Sequence, residues 1–145
     1  MNVKIKRLDE KAKIPTYGTD FSAGADLYAL TDEAVTINAG ATILMHTGIA
    51  MEIPEGYVGL VFARSGLATK KNLAPANKVG VIDADYRGEI MVALHNHGNV
   101  PQIVESGERI AQIAIVPFLK AEFTECDELS DTVRGAGGFG STGKK

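Results

Sequence analysis

Along most of its length the chain is cut into short apolar runs with turn residues between them. Val3–Ile5, Val35–Ile37, Ile43–Met45, Ile49–Ile53, Tyr57–Phe62, Val79–Ile82, Glu89–Leu94, Val100–Val104, Ile110–Phe118 and Ala121–Phe123 read as strands. Asn38-Ala39-Gly40, Gly48 and Pro54-Glu55-Gly56 punctuate them. Many short Val- and Ile-rich segments at fairly even spacing predict an all-β sandwich, barrel or jelly roll. The helical expectation is confined to a turn or two around Gly66–Lys71, after Ser65. No stretch carries sustained helical periodicity, so an alternating strand–helix fold of the Rossmann kind is not expected.

The 145 residues suffice for one domain with a real core. Charge and cysteine content then narrow the function. Fifteen Lys and Arg against eighteen Asp and Glu give a net charge of −3. Sequence-independent nucleic-acid binding needs an excess of cations to displace counterions, so no nucleic-acid partner is expected. Cys126 is the only cysteine, which excludes an intrachain disulfide and a thiolate zinc site. Met1–Arg7 alternates charged and apolar residues without an apolar core segment. No signal peptide and no membrane span are read, and the expected compartment is cytoplasmic.

From Asp131 the character changes. Arg134 to Lys145 holds one large apolar residue, Phe139, among five glycines. Such a segment cannot offset an ordering cost of about 1–2 kcal/mol per residue. The expected division is a β domain over residues 1–130 and a mobile arm over 131–145. A frayed terminus is the plainer reading of a glycine-rich end, but a pure spacer needs neither the Phe139 ring nor the Arg134 guanidinium.

Four internal segments carry chemistry. In Ala63-Arg64-Ser65-Gly66-Leu67-Ala68, a guanidinium, a hydroxyl and an unobstructed amide follow a strand, equipment suited to a polyphosphate. An ordinary helix cap competes with that reading. Asn77 to Glu89 reads as a β-hairpin whose acidic, aromatic turn holds Asp83, Asp85 and Tyr86. A carboxylate held there could deprotonate a water, or simply sit in a solvated turn. In Gly24-Ala25-Asp26-Leu27, Asp26 either helps to hold hydrated Mg²⁺ or occupies a tight turn. Gly107-Glu108-Arg109-Ile110-Ala111-Gln112 reads as a turn feeding a buried strand, with Gln112 free to bond a phosphate or neighbouring backbone. His46, His95 and His97 are read as structural or surface residues, since His95 and His97 lack the further ligands that a zinc site needs.

Taken in order with the tail, these segments resemble the five motifs of the homotrimeric deoxyuridine triphosphatase (dUTPase) family. The resemblance runs through essentially the whole chain, and five motifs in order are far more specific than any one. It implies a distorted jelly-roll-like β fold, a homotrimer with shared active sites, and hydrolysis of dUTP to dUMP and pyrophosphate with Mg²⁺. Carried over by position, Asp83 is the base that activates water for attack on the α-phosphorus. Asp26 holds Mg²⁺ through water. Arg64, Ser65, Gly66 and Gln112 cradle phosphates. Asn77 and the backbone of Gly80, Val81 and Ile82 read uracil, with Tyr86 under the deoxyribose and Met91 alongside. Phe139 stacks on the base, and Arg134, Gly140, Ser141 and Thr142 grip the γ-phosphate.

Ala63 stands where the family most often has Pro, and Ala136 at a tail position that is often polar. Neither replaces a reacting group. The related dCTP deaminases need a Glu on the strand after the hairpin; here that place aligns with Ala93, which has no proton to give. A regulatory protein partner on the same scaffold is a further alternative.

Overall fold

Residues 1–138 are described in the computed structural model. The strands run β1 (Lys4–Arg7), β2 (Thr16–Tyr17), β3 (Ala25–Tyr28), β4 (Val35–Ile37), β5 (Thr42–Met45), β6 (Ile49–Glu52) and β7 (Tyr57–Phe62). After the helix α1 (Ser65–Lys71) come β8 (Leu73–Pro75), β9 (Val79–Ile82), β10 (Val92–Asn96), β11 (Gln102–Val104) and β12 (Arg109–Pro117). A five-stranded sheet has the order β2-β3-β12-β7-β9, and a three-stranded sheet the order β5-β10-β8. The pairs β1-β6 and β4-β11 complete an antiparallel, jelly-roll-like sandwich. No closed barrel forms among the described residues.

The core follows from the pattern. In β10, Val92, Leu94 and Asn96 point inward while Ala93 and His95 point out, the period of two that a half-buried strand needs. Leu27, Ile37, Leu73, Ile90, Leu94 and Ile110 are fully buried, and each such side chain contributes about 1.5–3 kcal/mol. Buried Asn96 is satisfied: its Nδ2 donates to the carbonyls of Ile37 (2.9 Å) and Val100 (2.8 Å), and its Oδ1 accepts from the Gly98 amide (2.9 Å). Gly48 has φ +68°, and a Cβ there would meet Leu30 Cδ2 at 2.5 Å and Ala12 Cβ at 2.8 Å, so only glycine fits that turn.

The structure differs from the sequence reading: β2 and β8 were not expected, and the strand read at Glu89–Leu94 forms at Val92–Asn96. Ala121–Phe123 forms no strand; it pairs with nothing among the described residues and lies exposed. The segment from Asn77 to Glu89 is not a hairpin ladder. β9 pairs with β7, whereas β10 pairs with β5 and β8, so the turn crosses between two sheets. Strand geometry ends at Ile82, so Asp83 and Asp85 lie in the turn beyond β9. Asp26 lies inside β3 rather than in a tight turn, with Ala25 and Leu27 buried on either side. The run Ala25–Tyr28 is too short and too interrupted by small residues to announce a central strand.

Candidate active site

One cleft of about 360 Å³ gathers three of the segments singled out above. β3 supplies Asp26, the β7–α1 turn supplies Arg64, Ser65 and Gly66, and β12 supplies Arg109 and Gln112. Ser22, Ala23 and Gly24 close its rim. Asp26 and Gln112 are cross-strand partners, and Gln112 in turn faces Phe62 on β7, which leads straight into Arg64. Sheet register therefore brings residues 26, 64 and 112 together.

Asp26 is the electrostatic centre. Its Oδ1 lies 2.6 Å from Arg64 Nε in an ion pair and its Oδ2 accepts from Arg109 Nη1 at 3.1 Å, with the carboxylate side chain only 11% exposed. A buried carboxylate held by two guanidinium groups is a stable arrangement only because it is paired. Two cations against one anion leave the cluster with a net positive charge, suited to a polyanion. Gln112 Nε2 donates to the Ala63 carbonyl at 2.9 Å, and a Cβ on Gly24 would strike Gln112 Oε1 at 2.5 Å. Gly24 thus makes room for the amide that steadies the turn before Arg64. The helix N-cap is Arg64 itself, in extended geometry with no side-chain cap bond; Ser65 is the first helical residue, not the cap. The first-turn amides of α1 therefore receive no bond from the cap side chain.

A second hollow, about 230 Å³, is lined by Leu44, Val81, Ile82, Asp83, Tyr86, Glu89 and Met91. Tyr86 Oη donates to the Glu89 carbonyl at 2.9 Å, and its amide bonds the Asp83 carbonyl at 3.1 Å. Gly88 permits this: a Cβ there would meet Tyr86 Cζ at 2.6 Å. Asn77 and Gly80 are not in the lining; Asn77 Nδ2 lies beside Gly80, 3.4 Å from where a Cβ there would be.

Glu89 fastens this turn to the β5–β6 connection. It accepts from His46 Nδ1 (2.8 Å), the Thr47 amide (3.1 Å) and the Gly48 amide (2.7 Å). Burial pushes its pKa up, but the His46 bond and charge and the two amides outweigh burial and hold it below the ordinary 4.5. A depressed carboxylate contributes stability above its unfolded pKa and loses it as pH falls through the folded value. Glu89→Gln is expected to cost about 1–2 kcal/mol near neutral pH. The gap from the parent should close below pH 4.5 in urea titrations; a gap constant with pH would remove the ionised carboxylate from this role.

The two hollows share no lining residue. Ile82 faces Gly59 on β7, whereas Arg64 follows Phe62 beyond the other end of that strand. At about 3.3 Å per residue, the strand from Gly59 to Phe62 alone spans about 10 Å, and Arg64 lies beyond its end. Asp83 and the arginine cleft of one chain therefore lie at opposite ends of β7.

Arg134 is exposed and turns back on its own segment, its Nε donating to the Gly137 carbonyl at 2.9 Å. Phe139, Gly140, Ser141 and Thr142 lie outside the described residues. His46 is tied to Glu89, and the His95 and His97 rings meet edge to face at 4.3 Å. Among the described residues no group of three or more His, Cys, Asp or Glu is placed to hold a metal. Two residues of the site were not assigned from sequence. Arg109 stands in its motif without a role, and Glu89 reads only as a strand start; the partners that give each its place are distant in sequence.

Comparison with known proteins supports the same assignment. The dUTPase family model matches residues 10–143. The deoxyuridine 5'-triphosphate nucleotidohydrolase of Desulfitobacterium hafniense (strain DSM 10664 / DCB-2) is 50% identical over 98% of this chain and 97% of its own length. That of Hydrogenobaculum sp. (strain Y04AAS1) is 50% identical over the full length of both. A mutant dUTPase of Staphylococcus bacteriophage 80alpha, solved with dUpNHpp, superposes with TM-score 0.86 at 29% identity over 98% of each chain. A mutant dUTPase from phage phi11 of S. aureus, which shows the coordination of a structural Mg(II) ion, superposes with TM-score 0.81 at 25% identity over 90% of this chain and all of its own. With three of its motifs converging on an arginine-rich cleft and with relatives matched end to end, the chain belongs to the dUTPase family.

Proposed function

We propose that the chain hydrolyses dUTP to dUMP and pyrophosphate in a site assembled between copies of itself, with Asp83 as the base. The observation that carries this is the separation along β7. The phosphate-binding equipment and the carboxylate with its sugar-sized hollow occur in one chain but in separate hollows beyond opposite ends of β7, so one nucleotide meets both when a second copy supplies one of them.

Arg64, the amides of Ser65 and Gly66, and Gln112 grip the triphosphate, held in place by the Asp26 pairing and the Gln112–Ala63 bond. Asn77 and the backbone of Gly80, Val81 and Ile82 bond the uracil edge. Such readout discriminates strongly because a wrong base leaves polar groups unpaired. The Tyr86 ring, fixed by its bond to Glu89, lies under the deoxyribose and excludes a 2′-hydroxyl, with Met91 beside it. Asp83 takes the proton of a water that attacks the α-phosphorus in line with the leaving pyrophosphate. The arm of a further copy covers the nucleotide: Phe139 stacks on uracil, a contact of about 1–3 kcal/mol, and Arg134, Gly140, Ser141 and Thr142 hold the γ-phosphate. We read the assembly as a trimer.

The donors suit a Mg²⁺ ion that arrives on the triphosphate and keeps its waters, not a cage built by the protein. Asp26 Oδ2 accepts one N–H from Arg109 and Oδ1 is ion-paired with Arg64, which leaves the carboxylate acceptor capacity for a metal-bound water. When bound, the ion would neutralise charge developing on the leaving pyrophosphate.

Pyrophosphate release measured with dUTP, dCTP, dTTP and UTP, with and without Mg²⁺, tests the reading. Release from dUTP alone is expected; equal release from UTP or dTTP, or ammonia from dCTP, would overturn it. Gly66 offers a sharper check. A Cβ there meets nothing within 4 Å, so Gly66→Ala leaves the fold intact and gains up to about 1 kcal/mol of helix propensity. The methyl would crowd the phosphate at that amide and should lower kcat/KM by about tenfold or more. Thermal unfolding and kinetics should thus move in opposite senses.

A further inference from the structure

We propose that Arg109 is a positioning residue for this reaction: it holds the Asp26 carboxylate toward the metal-bearing triphosphate while Arg64 engages phosphate. The inference rests on the nucleotide reading above and adds a residue to it.

Sheet geometry makes the placement specific. Arg109 and Gln112 are three apart on β12, so regular alternation would send them to opposite faces. They line the same cleft because the register against β3 shifts between Arg109 and Ala111, leaving Ile110 and Ala111 consecutively buried. Bulges of this kind re-aim a side chain beside a functional site. The re-aimed guanidinium reaches Asp26 Oδ2 at 3.1 Å.

The two arginines on Asp26 are not equivalent. Arg64 carries its charge on the turn that opens α1, next to Ser65 and Gly66, and has a use of its own on a phosphate. Arg109 sits at the start of a central strand, with its bond to Asp26 on the oxygen that Arg64 does not use. If Arg64 turns its donors onto the ligand, Asp26 keeps one partner and its orientation. Without Arg109 it would be left a lone carboxylate, 11% exposed, with nothing to fix the oxygen that faces the metal's water.

Calorimetric binding of a non-hydrolysable dUTP imido analogue, in Mg²⁺ and in EDTA, separates the outcomes without reading turnover. In the parent protein Mg²⁺ should tighten binding. Arg109→Ala should remove about tenfold of that gain while leaving affinity in EDTA nearly unchanged. Asp26→Asn should do the same, and the double variant should lose no more than Asp26→Asn alone. Arg109→Lys should restore part of the gain. Circular dichroism confirms the fold of each variant, and the Lys variant keeps the test usable if Arg109→Ala is poorly folded. Equal weakening with and without Mg²⁺, which marks a direct phosphate contact, would overturn the proposal. So would additivity with Asp26→Asn, or a Mg²⁺ gain left intact or missing from the parent. Failure of the parent to bind the analogue at all would instead count against the nucleotide reading.

Discussion

Asp83→Asn should lower kcat by roughly 10²–10⁴ while leaving analogue affinity little changed, the pattern of a lost general base. The expectation follows from where the carboxylate sits. Asp83 is exposed just past the end of β9, at the mouth of the hollow formed with Val81, Ile82, Tyr86 and Met91. No side-chain bond among the described residues ties its carboxylate to the fold, and the turn is closed by its backbone carbonyl instead. Asparagine keeps the shape and that carbonyl and removes only the proton acceptor. Stability should therefore stay within experimental error. Near-normal turnover would take the base role from Asp83, and a large loss of binding would make it a ligand contact rather than a base.

Removing the chain after Asp131 should leave a folded protein with little activity. Every buried residue of the apolar core lies between Ala12 and Ile113, and the last strand ends at Pro117. Among the described residues the hydrogen bonds of the tail stay within it, so the unfolding midpoint should move little. On the proposed reading turnover should collapse, because Arg134, Phe139, Ser141 and Thr142 leave together, and with them a proposed stacking contact of about 1–3 kcal/mol. An unfolded product would make the tail part of the fold, and full activity would deny it any place over the nucleotide.

The residues that the sequence made legible are those whose chemistry is local. Val79–Ile82 and Ile110–Phe118 announce strands through their side chains, and β9 and β12 form close to those bounds. Arg64, Ser65 and Gly66 announce an anion site because three donor types stand side by side, and they line the cleft. Properties set by partners distant in the chain were not legible. The crossing of the Asp83 turn between two sheets depends on β10 preferring β5 and β8. Asp26 looks like a turn residue because Gly24 and Ala25 precede it. Yet Gly24 is small to admit Gln112, and Ala25 because it is buried between neighbouring strands. Arg109 gained its role only through a bulge, and Glu89 through amides more than 40 residues away.

The central claim is that the arginine cleft of one copy and the Asp83 hollow of another make one site. Mixing two inactive variants, Arg64→Ala and Asp83→Asn, by co-refolding tests it directly. In a heterologous assembly some sites take an intact cleft from one chain and an intact Asp83 from the next. For random mixing at equal amounts about a quarter of sites are whole, and dUTP turnover should recover to about that share of the parent rate. Activity no greater than the sum of the two separate variants would contradict the account.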